Sequence, residues 1–432
     1  MKQNATTSPR VIGLDCHPDS FTAALVEGQT PAQAIVQKVF NKLPIDRLSS
    51  WAQKNLHAED QVVLEASGNS FEVVRRLQAI GLKASVLESC QLGKLKEAHA
   101  NNDKISAVRM AKAYLAGTTK TVWVPDRLTQ ERRDSFHAYQ KTTKRTTQVT
   151  NRLLSYLSDN GVRLAHGLPA LKERLEVLQK TKAWTPRQWQ VIQGMLLELS
   201  HADEQREHWR SFMAQEVLSD PLLLSMVRLC GVRDVIAFTL GAIIGDIRRF
   251  AGPRKLVAYV GLNPAFDDSG ETEWEGGIGC HGRSDLRSLL CEAAQAILRS
   301  DHSLAKWGKK LLASKGSYNL AVAAVARRLT VAIWYLMMGR WTELEEVDVR
   351  LSRKVGKIIT RAGKQHLQAA GKSRQQLREE AFGSLKTGRV YVLGLKKMFT
   401  ETVSPRPKTM LEEIRVEMEQ YERERERADP KH

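Results

Sequence analysis

The chain opens with apolar positions in two short runs. Val11-Ile12-Gly13-Leu14-Asp15-Cys16-His17 is followed, after Pro18-Asp19-Ser20, by Phe21-Thr22-Ala23-Ala24-Leu25-Val26. Two β-prone runs around a polar turn predict a hairpin. The first run ends on the carboxylate of Asp15. Ala34 to Phe40 gives a third β-prone run, and Leu43 to Leu56 has helical spacing. Gln61 to Ala66 is short and very apolar and again closes on a carboxylate, Glu65. Ser70 to Ile80 is periodic as a helix and stops at Gly81. Lys83 to Leu87 reads as a strand and Ile105 to Leu115 as a helix. This order, βββαβαβα, predicts a mixed sheet with helices on its faces.

The pattern changes at Pro125. Asp126 to Asn160 has few strand formers, and Arg132, Arg133, Lys141, Lys144, Arg145 and Arg152 line a long helical pattern. A second helical stretch, Leu168 to Leu218, is broken at Trp184-Thr185-Pro186, so residues 125–220 predict an antiparallel coiled arm. Leu229 to Arg233 then forms a Gly-containing turn between helical segments. It resembles a helix-hairpin-helix, a device that offers backbone N–H groups to phosphates, with Arg233 where a second Gly is usual. Phe250 to Pro264 carries Arg254 and Lys255. A Gly-rich stretch follows from Ser269-Gly270 through Gly276-Gly277-Ile278-Gly279 to His281-Gly282-Arg283 and closes into a helix, Asp285 to Leu298. So many glycines predict a loop open to close approach by backbone or ligand. Asn319 to Met338 reads as a core helix interrupted by Arg327-Arg328. Beyond Trp341 the chain is basic up to Lys397, Glu412 to Arg427 predicts a mixed-charge helix, and no motif with chemistry stands out. The expected division is 1–124, 125–220, 221–345 and a C-terminal extension, 346–432.

Composition narrows the function classes. Among 432 residues, Lys+Arg number 66 against Asp+Glu 48, a net charge of +18. Such an excess suits a protein that works on a polyanion, nucleic acid first. No uninterrupted apolar run approaches the roughly 20 residues that span a bilayer, and Met1 to Arg10 lacks a signal-peptide core, so no membrane is expected. The five cysteines, Cys16, Cys90, Cys230, Cys280 and Cys291, are scattered and odd in number. That predicts neither a disulfide framework nor a zinc knuckle, and points to a reduced, cytosolic protein.

The strand and helix order is also similar to that of the RNase H-like fold. In that fold Asp15 on the first strand and Glu65 on the fourth lie side by side at the sheet centre. Asp103 stands at the entry to the last helix. Carboxylates converging from separate elements repel one another unless a cation lies between them. Oxygen-only ligands select Mg²⁺ or Mn²⁺, ions able to clamp the attacking and leaving oxygens of a phosphodiester. The alternative is that Glu65 is a strand-end charge and Asp103 a helix cap. Ser269, flanked by Asp268 and Gly270, is a turn residue unless a base or metal activates it.

Four motifs, in this order and spacing, resemble the DEDD-type transposases of the IS-one-ten / IS-eleven-eleven insertion-sequence family, the bridge-RNA-guided recombinases. They are Ile12-Gly13-Leu14-Asp15-Cys16-His17, Leu64-Glu65-Ala66-Ser67-Gly68, Asn102-Asp103-Lys104-Ile105-Ser106-Ala107, and Ala258 to Pro264 followed by Ser269-Gly270. Ala326-Arg327-Arg328-Leu329 is similar to the family's closing helix, so the resemblance runs from about Val11 to Met338. It implies an α/β plus α protein with a RuvC-like (RNase H-like) domain, a coiled-coil arm and a mostly helical transposase domain. It further implies Asp15, Glu65 and Asp103 as Mg²⁺ (or Mn²⁺) ligands, with Ser269 attacking DNA to form a covalent phosphoserine. The expected partners are donor and target DNA, a structured guide (bridge) RNA, and further copies of the chain as dimers pairing into tetramers, in a bacterial or archaeal cytoplasm. Arg254, Lys255 and Arg283 join the arm's basic residues as candidate nucleic-acid contacts.

The family's fourth carboxylate is Ser106 here. Three residues after Asp103 on a helix it keeps the same face, and its hydroxyl can coordinate Mg²⁺ but brings no charge. Two other readings follow: a RuvC-like nuclease or resolvase that uses water as nucleophile, and a catalytically impaired relative that only binds nucleic acid.

Overall fold

The computed structural model describes residues 10–89, 102–164, 171–269, 272–279, 281–340 and 348–385. The chain folds as two compact units, Met1–Asp126 and Arg127–His432.

The first unit is built on a six-stranded mixed sheet of order β3-β2-β1-β4-β5-β6. Strands β1 (Arg10–Cys16), β2 (Ser20–Glu27) and β3 (Ile35–Pro44) form the antiparallel meander. β4 (Gln61–Glu65) and β5 (Lys83–Leu87) continue it in parallel, and the two-residue β6 (Thr121–Val122), unforeseen in the sequence, closes the far edge. A central strand covered on both faces must be apolar at consecutive positions, and Val11, Ile12 and Leu14 of β1 are all buried. Ile12, Leu14, Val62 and Leu64 point to helices α1 (Leu48–Asn55) and α2 (Ser70–Ala79), packing with Trp51, Val74 and Leu77. The alternate residues Val11 and Val63 face helix α3 (Asp103–Leu115) through Ala107, Met110 and Ala111.

Among its described residues the second unit is helical apart from one two-stranded ribbon. Helices α4 (Arg127–Asp159) and α6 (Pro186–Ser219) run antiparallel: Arg132 pairs with Glu216 near one end, and Gln188 bonds Asn160 at the other. Thr185 and Gln188 form a reciprocal capping box ahead of Pro186, which is why the break falls there. Leu153, Leu157, Ile192 and Leu196 close the far end of this pair with Leu178 of α5 (Leu171–Thr181). At the near end Phe136, Tyr139, Met213 and Val217 enter a large core with α8 (Asp234–Ile244), α10 (Ser284–Leu298) and α12 (Tyr318–Met337). Between these lie α7 (Pro221–Met226), α9 (Pro253–Val260) and α11 (Ser303–Lys315).

Three expectations are corrected here. First, residues 348–385 are no appended tail. Helix α13 (Asp348–Ala370), kinked at Gly363, buries Leu351, Val355, Ile358 and Ile359 at helical spacing. A further helical stretch, 374–385, adds Leu377, Ala381 and Leu385 to the same core. The mixed-charge stretch Glu412 to Arg427 lies outside the described residues. Second, the Gly231 turn is a packing element. A methyl there would stand 2.8 Å from Ile297 Cγ1 and 2.9 Å from the Ala293 carbonyl oxygen, so the turn sits against α10. Lys354 also donates to the carbonyls of Val227 and Leu229 beside it. Third, the Gly-rich stretch contains an antiparallel ribbon, β7 (Pro264–Ser269) with β8 (Thr272–Ile278). Helix α12 is long and apolar enough to cross a membrane, yet 67% of its apolar window is buried in the core.

Candidate functional site

The first unit gathers chemistry at one end of the α3-facing side of the sheet. Asp15 lies one residue beyond the β1–β4 register pair Leu14↔Leu64, so the next residue of β4, Glu65, is its neighbour across the parallel ladder. Both belong to the set that alternates toward α3. Helix α3 begins at Asp103, and Asn102 caps it by accepting from the Ile105 N–H. Gly13 sets the depth of this helix. Its φ is ordinary for a strand, but a methyl there would lie 1.8 Å from the Ala107 carbonyl oxygen. Glycine is needed for space rather than for conformation. With α3 resting on the β1 backbone at Gly13, its first turn reaches Asp15, and the Ser106 hydroxyl donates to the Asp15 carboxylate.

A residue without an assigned role completes the group. His17 Nε2 lies 3.9 Å from Asp15 Oδ1 and 3.6 Å from Asp103 Oδ1. One ligand atom from each of Asp15, His17 and Asp103 falls within 4.8 Å of the others, the one such group of three among the described residues. The Asp15 carboxyl is pushed above its usual range, first by burial and then by Asp103 and Glu65; His17 and the Ser106 hydroxyl act in the opposite direction. Burial, with Asp15 adding to it, pushes the neighbouring Cys16 thiol up to about 12. The donors fit a hard divalent cation. Two carboxylates face each other, a third bears on Asp15 through space, and added positive charge would relieve the strain on Asp15. Glu65 is therefore an electrostatic neighbour of the group rather than one of its close members.

In the second unit Ser269 ends β7 and pairs in register with Thr272 at the start of β8. The base of this ribbon is held by Arg287, which no sequence pattern singled out. Its Nη1 donates to the carbonyls of Gly261, Gly279 and His281 at 3.0–3.1 Å. Gly261 is left-handed (φ 81°), and a methyl there would meet the His281 carbonyl oxygen at 2.1 Å. Arg283 binds Asp285 through both guanidinium ends, so Asp285 stays below its usual range although burial opposes this.

A model described as Transposase IS116/IS110/IS902 family matches residues 225–307, a stretch that includes the Ser269 ribbon and Arg287. The chain is 25% identical over 287 residues to the transposase for insertion sequence element IS1111A of Coxiella burnetii, covering 65% of this chain and 78% of that one. Both findings support an insertion-sequence transposase of the IS110/IS1111 type. The chain is also 26% identical over 234 residues to y4qE of Sinorhizobium fredii, a protein again named as a transposase, covering 53% and 56% of the two chains. A family 20 transposase of Pseudomonas aeruginosa is 22% identical over 286 residues, covering 64% and 83%.

The basic residues of this chain separate into two groups. Arg132 is only 12% exposed and pairs with Glu216 and Asp220. Arg133 is buried and donates to the carbonyls of Ala242 and Ile243 at the end of α8. Both are corrected from nucleic-acid candidates to residues that fasten α4 to its neighbours. Arg283 is likewise engaged by Asp285. Lys141, Lys144, Arg254 and Lys255 are exposed. Arg145 and Arg152 share Glu198 while keeping more than half of their side-chain surface in solvent.

Proposed function

We propose that this transposase cuts and rejoins DNA strands to move an insertion sequence, with Asp15, Glu65 and Asp103 serving a divalent cation and Ser269 acting as nucleophile. The observation that carries the reading is the convergence of Asp15 and Asp103, from two separate elements, on one small space that already strains the Asp15 charge. The central parallel pair β1 and β4, which carries Asp15 and Glu65, supports an RNase H-like, RuvC-like first unit. When bound there, Mg²⁺ or Mn²⁺ would neutralise phosphate charge and favour an oxygen nucleophile or leaving group at neutral pH.

The remaining roles belong to the chain. The Ser106 hydrogen bond fixes the Asp15 carboxylate, and the N-cap at Asn102 fixes Asp103. Ser269 gives up its hydroxyl proton as Oγ bonds to phosphorus, and the displaced deoxyribose oxygen leaves as a hydroxyl. The phosphoserine ester keeps the bond energy until a second strand's hydroxyl attacks it and restores the serine. Arg287 holds the ribbon base while this proceeds. Exposed Lys141 and Lys144, with Arg145 and Arg152 on the same helix, offer sequence-independent contacts to nucleic-acid backbones. Target choice by a guide RNA encoded beside the gene, and action as dimers pairing into tetramers, complete the reading by family resemblance.

The test is incubation of the protein with Mg²⁺, the adjacent-encoded RNA and element-junction DNA, followed by a denaturing gel. A protein–DNA adduct present in wild type and absent in Ser269→Ala is expected. Nicked DNA without an adduct would point instead to a water-using nuclease. Binding with neither product would leave a nucleic-acid-binding relative without chemistry.

A further inference from the structure

His17 stands at the mouth of the carboxylate group with half of its side chain in solvent. Its main chain is held from both sides. The His17 N–H donates to the Ser20 carbonyl at 2.8 Å across the β1–β2 turn. Asn69 Nδ2, from the loop that leaves β4, donates to the His17 carbonyl at 2.9 Å. The imidazole is thus anchored at its root and directed at Asp15 and Asp103. Its distances to them, 3.9 and 3.6 Å, are too long for hydrogen bonds. They fall instead between the spacings of neighbouring and opposite ligands, about 3.0 and 4.2 Å, around an ion with bonds of about 2.1 Å.

The chemistry of the donor set adds a second strand to the argument. Asp15 and Asp103 are the two carboxylates of the close group, and Ser106 beside Asp15 brings only a hydroxyl, so an ion held there has room for a further ligand. A neutral imidazole can supply that ligand without adding charge. We infer that His17 is a direct nitrogen ligand of the divalent cation, completing a ligand set with Asp15 and Asp103 and biasing the site toward Mn²⁺ over Mg²⁺. This rests on the reading that Asp15 and Asp103 hold a cation. The bias follows because Mg²⁺ keeps oxygen ligands and sheds water reluctantly, whereas imidazole nitrogen suits first-row transition ions.

The experiment is electron paramagnetic resonance of substoichiometric Mn²⁺ bound to the full chain, with electron spin echo modulation reporting nitrogen directly bound to the ion. Wild type should show ¹⁴N modulation. In wild type labelled with ¹⁵N-histidine it should change to the ¹⁵N pattern, a check that needs no substitution. His17→Gln should lose it while still binding Mn²⁺, with affinity lowered about tenfold or more and a smaller excess of Mg²⁺ needed for displacement. Mn²⁺ that binds wild type without nitrogen coupling, or with coupling that survives in His17→Gln, overturns the inference and leaves the cation site standing. Mn²⁺ that does not bind, or binds Asp15→Asn equally well, overturns the cation site and the inference with it.

Discussion

Gly13→Ala would drive a methyl group into the backbone of helix α3. The added methyl would lie 1.8 Å from the Ala107 carbonyl oxygen, 2.8 Å from the Ala107 carbonyl carbon and 3.3 Å from the Ala111 nitrogen. Ordinary van der Waals contact begins at 3.4 Å, so the closest approach is about 1.6 Å short. All three atoms are backbone, and no side chain can rotate away. Either the β1 backbone or helix α3 must shift, and β1 is fixed by ladders on both edges, to β2 and β4. The helix is the part that moves. Overpacking in a core costs about 1–3 kcal/mol, and a backbone clash belongs at the upper end of that range or beyond it. A displacement of α3 by an ångström or more carries Asp103 and Ser106 away from Asp15 and His17, against a His17–Asp103 separation of 3.6 Å. The variant should therefore lose both stability in chemical denaturation and divalent-cation affinity by calorimetry. Gly68→Ala is the matched control: it stands in the motif that follows β4 and has open space at its Cβ. It should behave as wild type in both assays. A Gly13→Ala protein with wild-type stability and cation affinity would refute the account of how α3 is seated.

Two further expectations follow from the placement of charge. Because the Asp15 carboxyl is raised above 3.8 in the folded protein, the native state holds that proton more tightly than the unfolded chain. Wild type then loses stability as pH rises from 3.8 through the folded value, and the penalty is fully present at neutral pH. In cation-free buffer Asp15→Asn should melt at or above the wild-type temperature at pH 7, with the difference vanishing in acid. Added Mg²⁺ should then stabilise wild type alone, by about 2.7 kcal/mol at a hundredfold excess over Kd. Thermal unfolding scans across pH check this, and a wild-type advantage that grows with pH without cation would contradict it. On α4, Arg133→Met strands the Ala242 carbonyl in the core, while the Ile243 carbonyl keeps Arg249 as a donor, and should cost about 1–3 kcal/mol for the group left unpaired. Lys141→Ala with Lys144→Ala should leave the melting temperature alone while flattening the salt dependence of nucleic-acid binding by a slope of about 2. Equal losses of stability in both proteins would refute the division of the basic residues.

What could be read from the sequence was whatever local pattern dictates. The strands from Val11 to Leu87 follow from apolar runs bounded by turn residues, and the break before Pro186 follows from Thr185 and its partner Gln188. Asp15 and Asp103 were legible as strand-end and helix-entry carboxylates, and the fold resemblance supplied their proximity. The failures share another cause. Arg132 and Arg133 carry the same charge as Lys141, and only tertiary packing decides that two of them are spent on Glu216, Asp220 and the end of α8. The basic composition after Trp341 hid an apolar stripe, Leu351, Val355, Ile358 and Ile359, because lysines and arginines fill the other face of the same helix. Gly13 is the sharpest instance. In the sequence it is one small residue in a β-prone run, where glycine ordinarily weakens a strand. Its value appears only when Ala107, far along the chain, is seen to rest its carbonyl where a side chain would be. His17 escaped notice for the same reason, since the two carboxylates it faces meet only after α3 has docked on that glycine. The depth of one helix on one strand thus decides whether Asp15, His17, Asp103 and Ser106 form a group at all, and the cation chemistry proposed for them depends on a contact that carries no charge.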